Sequence, residues 1–316
     1  MIHAAAERLK PVMRKTPMLS SPFLDEIAGR RVFIKAECLQ HTGSFKFRGG
    51  YSALSGLHDV KGVIAFSSGN HAQGVALAAR MHGVEAVIIM PSDAPVSKVE
   101  NTKALGAKVV LYDRATEDRD ALGAEMARQS NLALVKPFDE PMVIAGQGTV
   151  GLEIAAQAAE RGIAEAQVLA PCGGGGLTSG ICLALGAAAP AMTVRPVEPE
   201  GFDDVARSLA LGKRVSNSRL TGSICDAIIT PISGKITFPI MQTYCGAGLV
   251  VSEDECLRAM KHAFERLKIV IEPGGAMALA AALFHGDEIE GDAVICVASG
   301  GNVDAEMFGR ALGVSI

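Results

Sequence analysis

Short apolar runs alternate with longer alanine-rich stretches along most of the chain. Eight apolar runs have the length and β-branched content of strands, at residues 32–35, 62–66, 86–90, 108–112, 166–171, 193–198, 248–251 and 293–298. Seven longer stretches predict helices, at residues 72–82, 97–105, 116–129, 150–161, 177–185, 253–267 and 275–284. Strands that alternate with helices pair in parallel and are covered on both faces. The pattern therefore predicts an α/β fold with parallel-type sheets flanked by helices.

The start of one predicted helix carries a specific signature. Ser252 is followed three residues later by Glu255. In a capping box, the serine hydroxyl accepts a hydrogen bond from the backbone amide three residues on, and the glutamate reaches back to the serine amide. The helix predicted at residues 253–267 is therefore expected to begin directly after Ser252.

Composition and charge narrow the class of protein. Of the 316 residues, 49% are hydrophobic, which allows a substantial core and argues against disorder. The net charge of -4 provides no basic surface for nucleic acid. With 4% aromatic residues and no tryptophan, the chain also lacks a base-stacking platform. A nucleic-acid partner is not expected.

The cysteines and the N-terminus bear on the cellular compartment. The seven cysteines include no C-x-x-C pair, and an odd number fits reduced thiols better than a disulfide framework. The first 15 residues carry charges within a short amphipathic pattern, unlike a signal peptide. No uncharged apolar run reaches the ~18 residues of a membrane span. We expect a cytoplasmic protein with no membrane partner.

Two polar, glycine-containing segments carry candidate chemistry. In residues 42–49, Thr-Gly-Ser-Phe-Lys-Phe-Arg-Gly, Lys46 follows a glycine-serine turn and lies between two phenylalanines. An apolar setting lowers the pKa of a lysine and favours an amine that forms a Schiff base, although most lysines simply lie at the surface. Residues 67–74, Ser-Ser-Gly-Asn-His-Ala-Gln-Gly, open a predicted helix. Backbone amides there can hold a carboxylate, and Asn70 would equally suit a helix cap.

A run of four glycines follows the strand predicted at residues 166–171. Gly173, Gly174, Gly175 and Gly176 precede a predicted helix, so their amides can form a nest for an anion such as phosphate. The run does not fit the G-x-G-x-x-G of dinucleotide-binding proteins, and no lysine follows it as in a P-loop. A tight packing turn explains the glycines equally well when they are considered alone.

Together with Ala-Ser-Gly-Gly-Asn at 298–302, these motifs resemble, in the same order, those of the pyridoxal-phosphate enzymes of the serine/threonine dehydratase family. That family includes serine racemases and 3-hydroxyaspartate dehydratases. The resemblance extends from about Thr16 to Asp304. It implies the tryptophan-synthase-β-like architecture called fold type II, with two twisted sheets. It also implies a large cofactor-binding domain of residues 1–50 and 141–316 and a small domain of residues 51–140.

The resemblance implies which residues hold pyridoxal 5'-phosphate. Lys46 would carry the cofactor, with Phe45 beside it, and would later act as the base at the substrate Cα. The cofactor phosphate would lie against Gly173, Gly174, Gly175, Gly176 and Leu177. Asn70 would contact the phenolic oxygen and Ser299 the ring nitrogen. A hydroxyl at that position allows a neutral ring, which suits β-elimination. A single serine before two glycines is also a common turn residue.

The same resemblance suggests which residues bind substrate. The substrate carboxylate would be bound by Ser67, Ser68, Gly69, Asn70 and His71. Serine at position 68 is typical of serine racemases and 3-hydroxyaspartate dehydratases, and in racemases this hydroxyl is the acid or base on the face opposite the lysine. Arg119 matches the arginine that meets a distal carboxylate in serine racemase. The acids beside Arg119 favour the alternative, a solvated ion-pair network on its helix.

An acidic segment is a candidate site for a divalent cation. Glu198, Asp204 and the carbonyl of Phe202 are hard oxygen ligands of the kind that Mg²⁺ or Ca²⁺ prefers. Racemases and 3-hydroxyaspartate dehydratases with this fold carry a divalent site at the matching positions. Without that resemblance, the segment would be interpreted as a solvated acidic loop.

The resemblance predicts a lyase that removes water from a 3-hydroxy-amino acid and yields a 2-oxo acid and ammonia. Threonine and serine are the default substrates, and 3-hydroxyaspartate is the main alternative. A serine or aspartate racemase shares every motif. A non-enzymatic binding protein would have no need of Lys46. Related enzymes are commonly homodimers or homotetramers.

Overall fold

The computed structural model describes residues 1–67, 69–94, 96–113 and 116–315. Within them, the strands are β1 (Met18–Ser20), β2 (Arg31–Lys35), β3 (Gly62–Phe66), β4 (Glu85–Pro91), β5 (Lys108–Tyr112), β6 (Leu132–Leu134), β7 (Ala166–Pro171), β8 (Met192–Pro199), β9 (Leu249–Val251) and β10 (Ala293–Val297). The helices are α1 (Ile2–Leu9), α2 (Pro22–Ala28), α3 (Lys46–Leu54), α4 (Asn70–His82), α5 (Val96–Ala104), α6 (Arg119–Ser130), α7 (Pro141–Glu160), α8 (Gly176–Ala188), α9 (Asp204–Leu211), α10 (Thr237–Tyr244), α11 (Glu253–His262), α12 (Pro273–Phe284) and α13 (Ala305–Gly313).

The strands form two sheets. The first has the order β1-β2-β10-β7-β8-β9, and all of its pairs are parallel except that of β1 with β2. The second has the order β5-β4-β3-β6 and is parallel throughout. Every residue of β10, at the centre of the first sheet, is buried, as expected where helices cover both faces. The predicted α/β fold with two parallel-type sheets is confirmed.

The two sheets divide the chain unequally. All four strands of the second sheet fall between residues 51 and 140, and the six strands of the first sheet fall outside that range. This distribution is compatible with a small domain of residues 51–140 inserted into a larger one. The domain boundaries themselves stay a prediction.

The strand pattern predicted the sheets closely. Each of the eight predicted strands is present with ends within one residue of the prediction. The three-residue strands β1 and β6 were not predicted, because so short a run has no recognisable period. The capping box is confirmed: the Ser252 hydroxyl accepts from the Glu255 amide at 3.3 Å, and the Ser252 amide donates to the Glu255 carboxylate at 2.7 Å.

The helix predictions were wrong where glycines occur inside helices. Helix α7 begins at Pro141 rather than at residue 150, and α3 was not predicted. Gly146 and Gly148 disfavour a helix by propensity. A Cβ at Gly146 would lie 2.5 Å from the Arg48 carbonyl oxygen, so this glycine allows α7 to approach α3. Close packing therefore overrides propensity. Also unpredicted were α1, α2, α9, α10 and α13.

Residues that follow the carboxyl ends of β3, β7 and β10 line one cavity. The segment after β3 leads into α4, the four glycines join β7 to α8, and residues 298–302 follow β10. In parallel sheets, such ends are where ligands bind. In the described part of the chain, no helix is both long and apolar enough to cross a membrane.

Candidate functional site

Lys46 is the first residue of α3, and the turn before it is joined to the loop after β10. Ser44 forms an antiparallel bridge with Gly300. The Phe45 amide donates to the Ser299 carbonyl at 3.1 Å. These backbone contacts bring two motifs that are about 250 residues apart in sequence into one site.

The amine of Lys46 lies beside a backbone carbonyl and an aromatic ring. Its Nζ donates to the carbonyl oxygen of Pro137 at 3.0 Å and lies 5.2 Å from the centroid of the Phe45 ring. Burial lowers the pKa of Lys46 to about 8, although the negative charge of Glu272 opposes this shift. With that pKa, about a tenth of the amine is neutral at pH 7. The side chain can therefore serve as a nucleophile and as a base near neutral pH.

A buried network of charges holds α3 in place. Arg48 is fully buried and donates to Glu37 at 2.7 Å and to Glu153 at 2.8 Å. Lys35, also fully buried, donates to Glu153 at 2.5 Å. Two positive and two negative groups compensate one another, and removing one would leave a buried charge unpaired. Sequence analysis missed this network. The signal that could have indicated it is Lys35, a charged residue at the end of the apolar strand β2.

Asn70 is fixed by hydrogen bonds on both ends of its side-chain amide. Its Nδ2 donates to Glu272 Oε1 at 2.6 Å, and its Oδ1 accepts from Asn302 Nδ2 at 2.6 Å. The Asn302 amide also donates to the Thr42 carbonyl at 2.7 Å. Asn70 is the first residue of α4, and Gly69 occupies the capping position before it. The network connects α4, the lysine turn and the loop after β10.

Glu272 is the functional candidate that sequence analysis missed. It is buried at the start of α12 and lines the same cavity as Lys46. Burial raises the pKa of Glu272 to about 7, while the hydrogen bond from Asn70 acts in the opposite direction. An acidic residue before Pro-Gly-Gly is common at helix starts, so the sequence offers no signal for a buried role.

The four glycines pack too closely for any side chain. A Cβ at Gly174 would overlap the Phe138 ring, and one at Gly176 would lie 2.9 Å from Phe138 Cα. Gly175 has φ +90°, in the left-handed region that favours glycine. Helix α8 begins at Gly176, so free backbone amides collect at this loop. Such a loop suits an anion without any cationic side chain.

Most of the predicted cofactor residues share one narrow cavity. Its walls include Phe45, Lys46, Asn70, Gly173, Gly175, Gly176, Leu177 and Ser299. Gly174 is not one of the residues that line this cavity. Its carbonyl oxygen accepts a hydrogen bond from the hydroxyl of Thr237 in α10. Ser299 is buried.

A larger cavity of about 390 Å³ adjoins the first one at Lys46 and Asn70. Ser67, Gly69 and His71, predicted to bind a carboxylate, line it. His71 Nε2 lies 3.0 Å from the Val135 carbonyl oxygen, which can only accept, so this nitrogen carries a proton. Burial, assisted by the charge of Lys46, lowers the pKa of His71 to about 3. The imidazole is therefore neutral and donates to the backbone.

Two predicted substrate residues, Ser68 and Arg119, are not fully described. Ser68 lies outside the described residues, and so does the side chain of Arg119, whose backbone begins α6. Their roles stay predictions.

The proposed cation ligands lie together on β8 and at the start of α9. Glu198 accepts from the amides of Val205 and Ala206 at 3.0 and 2.7 Å. Asp204 accepts from Asn217 Nδ2 at 2.8 Å and from the Ser233 amide at 2.9 Å. Glu198, Phe202 and Asp204 are thus buried, whereas Glu200 and Gly201 between them are exposed.

Burial also affects the ionisation of these two carboxyl groups. It raises the pKa of Asp204 to about 6, and burial together with the charge of Asp204 raises the pKa of Glu198. Among the described residues, no cluster of three or more His, Cys, Asp or Glu side chains is arranged to hold a metal ion. The predicted set of Glu198, Asp204 and the carbonyl of Phe202 therefore stays a prediction.

Known proteins resemble this chain over nearly its whole length. Residues 9–300 match the family described as "Pyridoxal-phosphate dependent enzyme". An L-threo-3-hydroxyaspartate ammonia-lyase of Pseudomonas sp is 42% identical over 311 residues, covering 98% of this chain and 96% of that protein. A serine racemase of Oryza sativa subsp. indica is 37% identical over 321 residues, covering 98% and 92%.

Among solved structures, a threonine deaminase from T.th. has a TM-score of 0.91 and 44% identity, covering 96% of this chain and 97% of that one. The family suggested by the lysine, glycine and serine motifs is therefore confirmed. The chain belongs to the pyridoxal-phosphate dependent enzymes.

Proposed function

We propose that this protein is an ammonia-lyase that uses pyridoxal phosphate to convert a 3-hydroxy-amino acid into a 2-oxo acid and ammonia. The observation that carries the proposal is the position of Lys46. Its amine, with a pKa of about 8, shares a cavity with the glycine loop and Ser299. Relatives named as ammonia-lyases acting on 3-hydroxyaspartate or threonine support the same reaction.

The residues present fit the cofactor. Lys46 provides an amine that reacts with an aldehyde, and the glycine loop provides amides for a phosphate where a Cβ would collide with its surroundings. Asn70 and Phe45 would flank the ring, Leu177 would lie beside the phosphate, and Ser299 would face the ring nitrogen. Lys46, the glycine loop and Ser299 would thus serve the aldehyde, the phosphate and the ring nitrogen of one bound molecule.

When bound, pyridoxal phosphate supplies an electron sink that makes the substrate Cα proton acidic. Lys46 Nζ would take that proton, since an amine with a pKa near neutrality is an effective general base. The Ser67–His71 loop would orient the substrate by holding its carboxylate at the start of α4. Neutral His71, bonded to the Val135 carbonyl, would keep this loop in place without adding charge.

The substrate is proposed to be 3-hydroxyaspartate, threonine or serine. A dicarboxylic substrate needs a second cation in the cavity. Among the described residues that line the larger cavity, the lysines are Lys46 and Lys98, and Lys98 is already paired with Asp226 at 3.1 Å. Arg119, which the family resemblance matches to the arginine that meets a distal carboxylate in serine racemase, is proposed as that cation, through a bidentate pair.

Racemase activity is the second candidate function. The observation that favours it is the set of relatives named serine racemase, together with a serine at position 68. Ser68 would return the proton on the face opposite Lys46. Chiral analysis of recovered serine and aspartate would detect this activity beside elimination.

Three further features are proposed from the family resemblance. A Mg²⁺ or Ca²⁺ ion would be bound by Glu198, the Phe202 carbonyl and Asp204, where two neighbouring buried carboxyl groups would gain from a counter-charge. The protein would assemble as a homodimer or homotetramer. A cytoplasmic location is supported by seven cysteines that are all free.

A substrate panel tests the proposal. Purified enzyme with pyridoxal phosphate is incubated with threonine, serine and each isomer of 3-hydroxyaspartate, and the 2-oxo acid and ammonia are quantified. We expect equal amounts of both products from at least one substrate and none from Lys46→Ala. Turnover without 2-oxo acid, or turnover that survives in Lys46→Ala, would disprove the lyase assignment.

A further inference from the structure

Asp139 binds three successive backbone amides at the start of α10. Its carboxylate accepts from the amides of Lys235 at 3.1 Å, Ile236 at 2.8 Å and Thr237 at 3.4 Å. An acidic group at a helix N-terminus satisfies free amides and complements the helix dipole. Gly234 makes this approach possible, because a Cβ there would overlap Asp139 Oδ1. A residue nearly 100 positions away in sequence thus fixes the beginning of α10.

The first residue of α10 in turn fixes the glycine loop. The hydroxyl of Thr237, which is fully buried, donates to the Gly174 carbonyl at 2.6 Å, and the Gly234 amide donates to the same oxygen at 3.2 Å. In a planar trans peptide, the carbonyl and the following N–H point in opposite directions. Holding the Gly174 carbonyl toward α10 therefore turns the Gly175 N–H away from α10. Gly175 lines the cavity that contains Lys46.

The residues before Asp139 touch the other parts of the site. The Pro137 carbonyl accepts from Lys46 Nζ at 3.0 Å. Phe138 packs against Gly174 and Gly176 so closely that neither could carry a Cβ. Three consecutive residues, Pro137 to Asp139, thus contact the amine, the glycine loop and the helix that orients the loop.

We propose that Asp139 and Thr237 are positioning residues for the cofactor phosphate. Asp139 fixes the first turn of α10, and Thr237 then sets the Gly174 peptide so that the Gly175 N–H faces the anion. Neither side chain touches the phosphate itself. The inference rests on the proposed function in so far as that function assigns the phosphate to the glycine loop.

The test compares two ligands, one with and one without the phosphate, and each ligand is compared between variants. Dissociation constants of pyridoxal phosphate and of pyridoxal are measured by fluorescence on cofactor-free protein. Thr237→Val, which is nearly isosteric, removes the hydroxyl donor, and Thr237→Ser is the matched control that keeps it. We expect Thr237→Val to weaken pyridoxal phosphate binding about tenfold and to leave pyridoxal binding unchanged. Thr237→Ser should remain within about twofold of the wild type.

Asp139→Asn supplies an independent variant because it removes the charge while retaining the shape. It should also weaken the phosphate ligand selectively. The double variant Asp139→Asn/Thr237→Val should lose less than the product of the two single effects, because both act through the same peptide. Phosphorus-31 NMR of the bound cofactor should shift in Thr237→Val and not in Thr237→Ser.

Failure of the inference and failure of the proposed function give different results. Equal losses for pyridoxal and pyridoxal phosphate, or no loss in Thr237→Val, would overturn the positioning role. If wild-type protein bound the two ligands equally well, the glycine loop would not be the phosphate site. If the ligand difference were present but no 2-oxo acid formed from any substrate, the lyase proposal would fail and the positioning role would stand.

Discussion

The side-chain amide of Asn70 donates a hydrogen bond of 2.6 Å to the buried carboxylate of Glu272. The two residues are 202 positions apart in sequence, on α4 and at the start of α12. Because Asn302 occupies the other end of the same amide, Asn70 has only one orientation that satisfies both partners. The side-chain amide of Asn70 is therefore held rigidly near Lys46, and this arrangement requires the carboxyl group of Glu272 to be buried.

That carboxyl group should make the stability of the cofactor-free protein depend on pH. The pKa of Glu272 is raised to about 7 from its ordinary value of 4.5. Its contribution to the free energy of unfolding is thus fully present below pH 4.5 and is lost as the pH rises through about 7. The side chain of Glu272→Gln cannot ionise. Above pH 7, the free energy of unfolding of this variant should therefore exceed that of the wild type by up to about 3 kcal/mol.

Thermal melts of both proteins between pH 4.5 and 8.5 would measure this difference. Glu306→Gln, which changes an exposed glutamate, is the control and should follow the wild type. Parallel curves for Glu272→Gln and the wild type would mean that Glu272 ionises normally.

The Asn70–Glu272 pair also illustrates which features can be predicted from the sequence. The strands were predictable because buried parallel strands are continuous apolar runs, and Lys46 and Ser299 because they lie within recognisable motifs. Glu272 belongs to no such motif, and its role depends on a partner from another part of the chain. The same holds for Arg48, whose partner Glu153 is 105 residues away. Hydrogen bonds and ion pairs between residues so far apart in the sequence leave no local pattern.

Lys46 should be essential for catalysis. Lys46→Ala is expected to reduce turnover at least about 10³-fold, because one change removes both the nucleophile and the base. Borohydride treatment of the wild type, followed by peptide mapping, should find the reduced cofactor on Lys46. Lys103→Ala, at an exposed lysine, should retain activity and labelling. Labelling of any other lysine would remove Lys46 from the site.

Ser299 should determine the protonation of the cofactor ring. Ser299→Asp places an anion beside the ring nitrogen and should keep it protonated. We expect a changed absorbance spectrum of the bound cofactor and slower elimination. Ser299→Ala removes the hydroxyl without adding charge, so its spectrum should stay close to that of the wild type. If Ser299→Asp changed neither spectrum nor rate, Ser299 would not face the ring.

A divalent cation should stabilise the segment that contains Glu198 and Asp204. Chelator is expected to lower the melting temperature, and Mg²⁺ or Ca²⁺ should restore it by mass action. Glu198→Gln keeps the side-chain length and should abolish this response. Glu200→Gln, at an exposed position on the same segment, should keep it. A wild-type melting temperature that ignores both chelator and cation would disprove the metal site.

Arg119 should set the preference between substrates. If its guanidinium meets a second carboxylate, kcat/KM for 3-hydroxyaspartate should exceed that for threonine. A charge-assisted pair contributes about 1.5–3 kcal/mol, which corresponds to roughly a tenfold to hundredfold preference. Arg119→Ala should erase the preference and leave threonine turnover nearly intact. Initial rates with both substrates, measured on the same preparation, cancel any loss of folding or of cofactor common to both.

A second arginine on α6 provides the matched control for this experiment. Arg128 is exposed and paired with Glu125 at 2.6 Å, so Arg128→Ala changes the charge of the same helix without reaching a substrate. If both variants reduced the preference equally, the effect would come from the net charge of the helix. If Arg119→Ala were silent for both substrates, Arg119 would belong to the ion pairs of its own helix. Threonine or serine would then be the better candidate substrate, because neither requires a second cation in the cavity.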